Sequence, residues 1–352
     1  MTDADAGPPA KTDTGRFFED YRVGETLAHA TPRTVGEGER ALYLALYPER
    51  RAMTSSAAFS DAVGLPGFPL DPWIVFHTVF GKTVPDVSLN AVANLGYAEG
   101  RWLAPVRPGD TLSATSEVIG LKETSSGKTG IVWVRTEGRT QAGTPVLSYV
   151  RWVMVRKRDA GTPAPDAVVP DLAVAVPADA LVMPDGLDFG AYDMAAAGER
   201  HRLSDYAVGE RIAHPDRVTV EEAEHMMATR LWQNTAKVHF DATQRDDGRR
   251  LIYGGHVISL ARALSFPGLA NAAWTVALNG GAHAGPCFAG DTVSAWSEVL
   301  ETAETDRPGV GAIRLRLVAQ RAEVAPFSRL GEDGRYLPGV LLDLDYWALM
   351  PT

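Results

Sequence analysis

The stretch "WQNTAKVHFDAT", residues 232–243, contains the side chains of this chain best suited to acid and base chemistry. His239 is the main candidate, because an unperturbed histidine titrates near pH 6.5 and can both take and give a proton near neutral pH. Asn234 cannot take a proton, but its amide can hold and orient a water molecule. The alternative for His239 is a structural role, in which hydrogen bonds within a loop satisfy the ring.

A glycine pair, Gly254 and Gly255, follows this stretch and precedes the segment "HVISLARALSF". The apolar residues of the segment include Val257, Leu260, Ala261 and Leu264. Their i, i+3, i+4 and i+7 spacing predicts a helix. Because the first N–H groups of a helix are unpaired and the helix dipole is positive there, an anion at the glycines would be stabilised. A tight turn that needs a positive φ is a second reason for glycine, and the two reasons are compatible.

These elements belong to the second copy of a duplicated unit. The segment "GDTVSAWSEV" at 290–299 repeats "GDTLSATSEV" at 109–118 with eight of ten residues identical. In the same way "YAVGERIAH" at 206–214 repeats "YRVGETLAH" at 21–29, and the offset between the copies changes only from 185 to 181. Self-similarity over most of a chain indicates an internal repeat, here present twice.

The first copy lacks the chemistry of the second. Glu49 stands at the position of Asn234, and Thr54 stands at the position of His239, so we do not expect a second complete site. Glu49 remains one candidate for a carboxylate that assists His239. Asp241 is another, although an Asx residue just before "ATQ" is also well placed to cap a short helix.

The length of 352 residues suits two cores of about 150 residues each. We expect a disordered N-terminus at 1–15, a first domain at 16–157 and a second domain at 206–352. Between them, residues 158–205 are rich in proline and alanine and mostly lack the periodicity of a helix or strand. This composition favours a plain linker over a catalytic segment.

The composition is that of a globular protein, with 45% apolar and 22% charged residues. A net charge of −10 argues against a nucleic-acid partner, which prefers a basic surface. The apolar runs are shorter than the roughly 18 to 20 residues that cross a bilayer, and the polar start of the chain shows no secretory signal. Cys287 is the single cysteine, which excludes an internal disulfide. We therefore expect a cytoplasmic protein with no membrane partner.

The remaining segments predict an α+β fold. In "AIRLRLV" the residues Ile313, Leu315 and Leu317 alternate with two arginines, which predicts a strand with one wet face. The first-copy segment "DPWIVFHTVFG" is apolar on nearly every face, as expected of a helix wrapped by a sheet. A buried helix followed by long antiparallel strands, present twice, resembles the tandem hot-dog fold. Pairing of two edge strands would bring both helices to a shared cleft.

The candidate site also resembles a family signature. In MaoC-like (R)-specific enoyl-CoA hydratases the signature is an Asp, any residue, Asn-Pro, an aliphatic residue and His. The His of this signature matches His239. Asn234 stands at the Asp position, Ala236 at the Asn position and Lys237 at the Pro position, so the generic motif is degraded.

Longer segments resemble the mesaconyl-CoA hydratase family, also called β-methylmalyl-CoA dehydratases. They include "FHTVFGKTVPDVSLNAVANLGYAEGRW", "EEAEHMMATRLWQNTAKVHF" and "YGGHVISLARALSF", and the resemblance covers essentially the whole chain. It implies reversible hydration of 2-methylfumaryl-CoA to β-methylmalyl-CoA. It places this reaction in C5 acyl-CoA routes of acetate assimilation such as the ethylmalonyl-CoA pathway. An acyl-CoA thioester is then the small-molecule partner, with no metal or redox cofactor, and hot-dog proteins often form homodimers.

The resemblance also assigns roles to the residues of the site. In the family a glycine at the place of Gly255 donates to the thioester oxygen. We expect His239 to act as acid and base, and Asn234 to orient water where the generic family has an Asp. The neighbouring candidates for substrate binding are Tyr253, Gly254 and His256.

The substrate carries a free carboxylate, and a buried site must pair such a group with a cation. Arg262 and Lys237 are the candidates for this cation. For the coenzyme A phosphates the candidates are Arg249 and Arg250. Their presence is explained equally well if they are ordinary charged residues of a solvent-exposed loop. Two other functions fit the same cleft, a hot-dog acyl-CoA thioesterase and a non-catalytic acyl-CoA-binding sensor.

Overall fold

The computed structural model of this chain describes residues 11–352. Residues 1–10 of the predicted disordered segment lie outside the described residues, and residues 11–15 have no helix or strand. The strands are β1 Thr26–Thr34, β2 Ala91–Trp102, β3 Thr111–Glu123, β4 Thr129–Arg139, β5 Pro145–Arg156, β6 Arg211–Thr219, β7 Trp274–Ala282, β8 Thr292–Glu304, β9 Val310–Arg321 and β10 Val340–Pro351. The helices are α1 Glu37–Leu46, α2 Ala52–Ser55, α3 Ala57–Ala62, α4 Pro72–Thr83, α5 Met194–Ala197, α6 Glu222–Leu231, α7 Lys237–Phe240 and α8 Gly254–Leu264.

The strands form one antiparallel sheet whose order is symmetric about its centre. The order is β1-β3-β4-β5-β2-β7-β10-β9-β8-β6, so each half reads as the other half in reverse. The halves join where β2 pairs with β7, with Tyr97 opposite Gly281 and Ala98 opposite Gly280. This pairing covers the edge that either half alone would expose. The predicted tandem hot-dog arrangement of the α+β class is confirmed.

Each half of the sheet wraps one long helix. All residues of α4 are buried, and every residue of α8 except Gly254 is buried. An apolar helix of this kind is stable only when other elements cover all of its faces. The helices predicted from "DPWIVFHTVFG" and "HVISLARALSF" are therefore both present, and they lie in the same hydrophobic cluster. That cluster spans the two halves.

The repeated sequences occupy equivalent strands. The decapeptides at 109–118 and 290–299 supply most of β3 and β8, and each contains a buried serine. His29 is hydrogen-bonded to Ser116 at 2.7 Å in the first half, and His214 to Ser297 at 2.8 Å in the second. In each half the segment at 21–29 or 206–214 supplies the histidine, and the decapeptide supplies the serine that bonds to it. This contact is a reason for both segments to occur twice.

The side chains of β9 alternate as their pattern predicts. Ile313, Leu315 and Leu317 are fully buried, while Arg314 and Arg316 are half-buried on the opposite face. Both arginines form ion pairs on that face, which keeps their charges near solvent.

The segment at 158–205 does more than join the copies, because part of it packs onto the sheet. Val176 is buried, and its N–H donates to the Oδ1 of Asn279 at 2.9 Å. Its carbonyl accepts a bond from the indole N–H of Trp347 at 2.9 Å. Phe189 is buried in the same hydrophobic cluster as Trp347. Among residues 11–352, no helix has both the length and the apolarity to span a bilayer.

Candidate active site

A cavity of ≈ 330 Å³ lies at the seam between the two halves. Its wall combines first-half residues from the end of α4 and from β2 and β5 with second-half residues around α7 and the start of α8. Asn234, His239, Tyr253 and Gly254 are among the lining residues. The cavity therefore requires both copies, although the predicted reactive groups come from one.

The geometry of His239 makes its ring a neutral base. Its Nδ1 lies 2.7 Å from the carbonyl oxygen of Leu251, an acceptor, so Nδ1 carries the proton and Nε2 keeps a free lone pair. Burial lowers the pKa of His239 to about 4, an effect that the bond to Leu251 partly opposes. Because the ring is desolvated, the pKa of His239 lies below the value of 6.5 that is ordinary for histidine.

Asn234 is held as a hydrogen-bond donor. Its Oδ1 accepts a bond from the backbone N–H of Ala236 at 3.0 Å, which turns the amide nitrogen the other way. That nitrogen has no hydrogen-bond partner among residues 11–352, and the side chain is buried at the cavity wall. Asn234 can therefore donate to a water molecule in the cavity but cannot take a proton from it.

The start of α8 leaves two backbone donors free. In the described part of the chain, neither the N–H of Gly254 nor that of Gly255 meets an acceptor. The equivalent helix in the first half, α4, has no free backbone donor at the corresponding two positions. Pro72 there has no N–H, and the carboxylate of Asp71 accepts from the N–H of Trp73 at 2.8 Å. Only the second-half helix can thus donate to an external oxygen at its N-terminus.

The glycines at this turn are required by close contacts and not by backbone conformation. Neither Gly254 nor Gly255 has a positive φ, so the expectation of a turn that needs positive φ is wrong. A Cβ on Gly254 would overlap the ring of His283, and a Cβ on Gly255 would overlap the ring of Tyr253. The two rings therefore approach the helix start as closely as the backbone allows.

Tyr253 and His256 have different surroundings, although both were candidates for substrate binding. Tyr253 lines the cavity, and its backbone N–H donates to Nε2 of His225 at 3.0 Å. His256 points into the core, where its Nδ1 is 3.1 Å from the hydroxyl of Tyr47, and it does not line the cavity. His256 is therefore a core residue and not a substrate contact.

His283 is a residue of the site that the sequence did not single out. It follows β7 within "NGGAHAGP", lines the cavity, and its Nε2 is 3.0 Å from the hydroxyl of Tyr97 on β2. Burial lowers the pKa of His283 to about 4, and the nearby charge of a protonated His239 contributes to this lowering. The signal that could have found it is weak, because a lone histidine beside glycines is common.

The predicted partners of the substrate carboxylate lie elsewhere. Lys237 is exposed at the start of α7. Arg262 is buried, but its Nη1 donates to the hydroxyl of Tyr346 at 3.1 Å. Neither residue lines the cavity, so neither meets the carboxylate there. Arg262 interrupts the apolar pattern of α8 on the side that meets Tyr346, and Lys237, which replaces the family proline beside His239, is exposed.

The two arginines proposed for the coenzyme A phosphates lie in the loop before α8. Arg249 is exposed, with its guanidinium 4.1 Å from the ring centroid of Phe288. Arg250 forms an ion pair with Glu222. Neither lines the cavity, although the neighbouring Leu251 does, so phosphate binding near its mouth stays a prediction.

In the first half, the region equivalent to the Asn234–His239 segment is occupied by a buried ion pair. Arg51 stands where the second half has Ala236, is fully buried, and forms an ion pair with Glu49 at 2.7 Å. It also donates to the Oγ of Ser265 at 2.9 Å. Glu49 is therefore a partner of Arg51 and cannot assist His239. Asp241 caps a short turn by accepting from the N–H of Thr243 at 2.9 Å, as the capping alternative expected.

Among residues 11–352, no group of three or more His, Cys, Asp or Glu side chains is arranged to hold a metal ion. The fold and site define a double hot-dog protein of the MaoC-like class. A MaoC domain protein of Chloroflexus aurantiacus has a crystal structure that matches with a TM-score of 0.95 and 54% identity, over 97% of this chain and 99% of that chain. A conserved Mycobacterium tuberculosis protein with a double hot-dog fold matches with a TM-score of 0.76 and 25% identity, over 96% and 98% of the two chains.

Sequence comparisons narrow this class. The family model for mesaconyl-CoA hydratase matches residues 8–329. The mesaconyl-CoA hydratase of Cereibacter sphaeroides is 71% identical over 341 residues, which cover 97% of this chain and 99% of that protein. The β-methylmalyl-CoA dehydratase of Chloroflexus aurantiacus is 55% identical over 97% of this chain and 99% of that protein. The chain belongs to the mesaconyl-CoA hydratase family.

Proposed function

We propose that this chain is a hydro-lyase that reversibly hydrates mesaconyl-CoA to β-methylmalyl-CoA. The observation that carries the proposal is the pairing, in one cavity, of a neutral histidine base with an unpaired amide at a helix start. Relatives that share 71% and 55% of their residues with this chain are a mesaconyl-CoA hydratase and a β-methylmalyl-CoA dehydratase.

The reaction begins with a water molecule held by the amide of Asn234. Nε2 of His239 takes a proton from this water while the oxygen bonds to the β-carbon of the enoyl thioester. The electron pair of the double bond moves to the thioester oxygen, where the free N–H of Gly255, directly after the lining residue Gly254, stabilises the enolate. The protonated His239 then gives its proton to the α-carbon. Because its pKa is lowered, this imidazolium is a strong acid and suits the protonation of carbon.

Within the described residues no carboxylate lines the cavity, so the mechanism in which His239 serves as both base and acid is favoured. Burial raises the pKa of the Cys287 thiol to about 12, which keeps it protonated. His283 is the other lining side chain that can accept a proton at neutral pH, and its Nε2 is hydrogen-bonded to the hydroxyl of Tyr97. Addition of water involves no net oxidation or reduction, and we propose that no metal or redox cofactor takes part.

One assay separates the proposed function from its alternatives. Purified protein incubated with mesaconyl-CoA should remove the enoyl-thioester absorbance without releasing free thiol. Thiol release would instead identify a thioesterase. Binding of mesaconyl-CoA with no change in either signal would identify the acyl-CoA-binding sensor.

The pH dependence of kcat/KM should be that of an enzyme whose base is a neutral histidine. Hydration requires unprotonated His239, whose pKa lies at about 4, so kcat/KM should be flat through neutral pH. Below about pH 4 it should fall about tenfold per pH unit, because each unit protonates ten times more of the base. The profile is measured with circular dichroism at each pH to confirm that the protein stays folded. A break near pH 6.5 would contradict the lowered pKa.

We also propose a homodimer in the cytoplasm that serves C5 acyl-CoA metabolism such as the ethylmalonyl-CoA pathway. The end strands β1 and β6 are unpaired on their outer edges within this chain, and a second copy could cover such an edge. Cys287 is free and buried, which suits a reducing compartment. Sedimentation should give a mass twice that of the 37.8 kDa chain. A mass of one chain would refute the dimer.

A further inference from the structure

Arg151 is a buried cation at the wall of the cavity. It lies on β5 in the first half, its side chain is fully buried, and it lines the cavity. Its partners are all uncharged. Nη2 donates to the Oγ1 of Thr83 at 2.6 Å, both Nη atoms are 3.4 Å from the Oγ of Ser88, and the guanidinium lies 4.4 Å from the ring centroid of Phe80.

No carboxylate among residues 11–352 lies within 4.0 Å of the guanidinium nitrogens of Arg151. A buried charge without a counter-ion is costly, which is why such charges are normally paired. Of the two other fully buried arginines, Arg51 is paired with Glu49 at 2.7 Å, whereas Arg262 also has no carboxylate within 4.0 Å in the described chain but does not line the cavity. Arg151 is therefore in a position where a bound anion would supply the missing charge.

Other unsatisfied polar atoms face the same wall. Nε of Arg151 has no hydrogen-bond partner in the described chain, and neither does the Oδ1 or the Nδ2 of Asn94. Asn94 and Ser88 also line the cavity. A carboxylate has two oxygens that can accept several bonds, and the guanidinium, amide and hydroxyl donors match that requirement.

Arg151 is also close to the proposed chemistry. It is the residue directly opposite Tyr97 in the pairing of β5 with β2, so both side chains point to the same face of the sheet. The hydroxyl of Tyr97 in turn meets His283 at 3.0 Å. In mesaconyl-CoA the free carboxylate is attached to the β-carbon, the atom that water attacks.

We infer that Arg151 binds the free carboxylate of the acyl group and thereby selects a dicarboxylic enoyl thioester. This inference rests on the proposed function. It gives the first copy a role in specificity, since one copy supplies the base and the other the cation. In the second half the guanidinium and the aromatic ring are exchanged, with Arg262 on the helix and Tyr346 on the strand, and neither residue lines the cavity.

Binding of two unreactive thioesters tests the inference. The ligands are 2-methylsuccinyl-CoA, which carries the carboxylate, and 2-methylbutyryl-CoA, which carries a methyl group in its place. Titration calorimetry with the full chain should show that Arg151→Met lowers the affinity for 2-methylsuccinyl-CoA on the order of 10²-fold. The affinity for 2-methylbutyryl-CoA should change less than about threefold. Arg151→Lys should give an intermediate loss, because it keeps the charge but not the planar fork.

Arg262→Met is the matched control, since Arg262 is also buried on an aromatic ring but does not line the cavity. It should leave the ratio of the two affinities unchanged. An equal effect of Arg151→Met on both ligands, or no effect on either, would overturn the inference. If that variant does not fold, wild-type protein that binds 2-methylbutyryl-CoA more tightly than 2-methylsuccinyl-CoA overturns it as well. Because binding is read without turnover, failure to hydrate mesaconyl-CoA would refute the proposed function separately.

Discussion

Replacing His239 with alanine is expected to lower kcat for mesaconyl-CoA hydration on the order of 10³-fold. The substitution removes the lone pair that takes the proton from water and the acid that protonates the α-carbon. Because the ring is bonded within the described protein only to the carbonyl of Leu251, the fold should survive its loss. Steady-state kinetics measures the effect, and circular dichroism establishes that the variant is folded.

His214 offers a control for this experiment. It is buried, and its partners are the carbonyl of Pro267 and the hydroxyl of Ser297; none of these three residues lines the cavity. His214→Asn should lower the melting temperature and retain kcat in the fraction that is folded. A folded His239→Ala variant with near-normal turnover would refute the assignment of the base.

Replacing Gly255 with alanine is expected to lower kcat on the order of 10²-fold, because the added Cβ would overlap the ring of Tyr253. The helix start, the tyrosine or both must then move, and the N–H that holds the enolate moves with them. KM should change much less than kcat, since the enolate forms only during the reaction. The measurement is the separate change of kcat and KM at neutral pH.

Gly280→Ala is the matched control for the glycine substitution. Gly280 lies on β7 at the seam, and the nearest atom that its Cβ would meet is the carbonyl oxygen of Tyr97 at 3.9 Å, an ordinary contact. This variant should keep kcat within about threefold. Equal losses in both variants would mean that the seam tolerates no added methyl group, and the role of Gly255 would lose its support.

The fold could be predicted in detail because each half repeats the other. The alternation of Ile313, Leu315 and Leu317 defines a strand with one wet face, and the apolar segment of α8 defines a buried helix. Because the sequence is duplicated, the helix and strands predicted for one copy are also predicted for the other. Each copy alone would expose an unpaired edge strand, so the two copies are expected to pair through these strands. The boundaries of the two helices agreed with the pattern to within about a turn.

The residues of the cavity were only partly predictable. His239, Asn234 and Gly254 lie together because they are near one another along the chain and share one copy. Arg151 and His283 belong to different halves, and no spacing along the chain relates them to the cavity. Arg262 interrupts the apolar pattern of the second-copy helix, but it lies against Tyr346 and not at the cavity.

Local patterns of apolar and polar residues were enough to specify the repeated unit, its central helix and the histidine loop, because those features depend on neighbours within a few turns or strands. The state of the site depends on what the other half brings to it. Burial in the folded chain shifts the pKa of His239 to about 4. In the first half, Asp71 occupies the helix start and the Arg51–Glu49 pair fills the pocket, so the open amides occur in the second half alone. The contact between Tyr97 of the first half and His283 of the second joins residues 186 positions apart, and no short stretch of sequence records it.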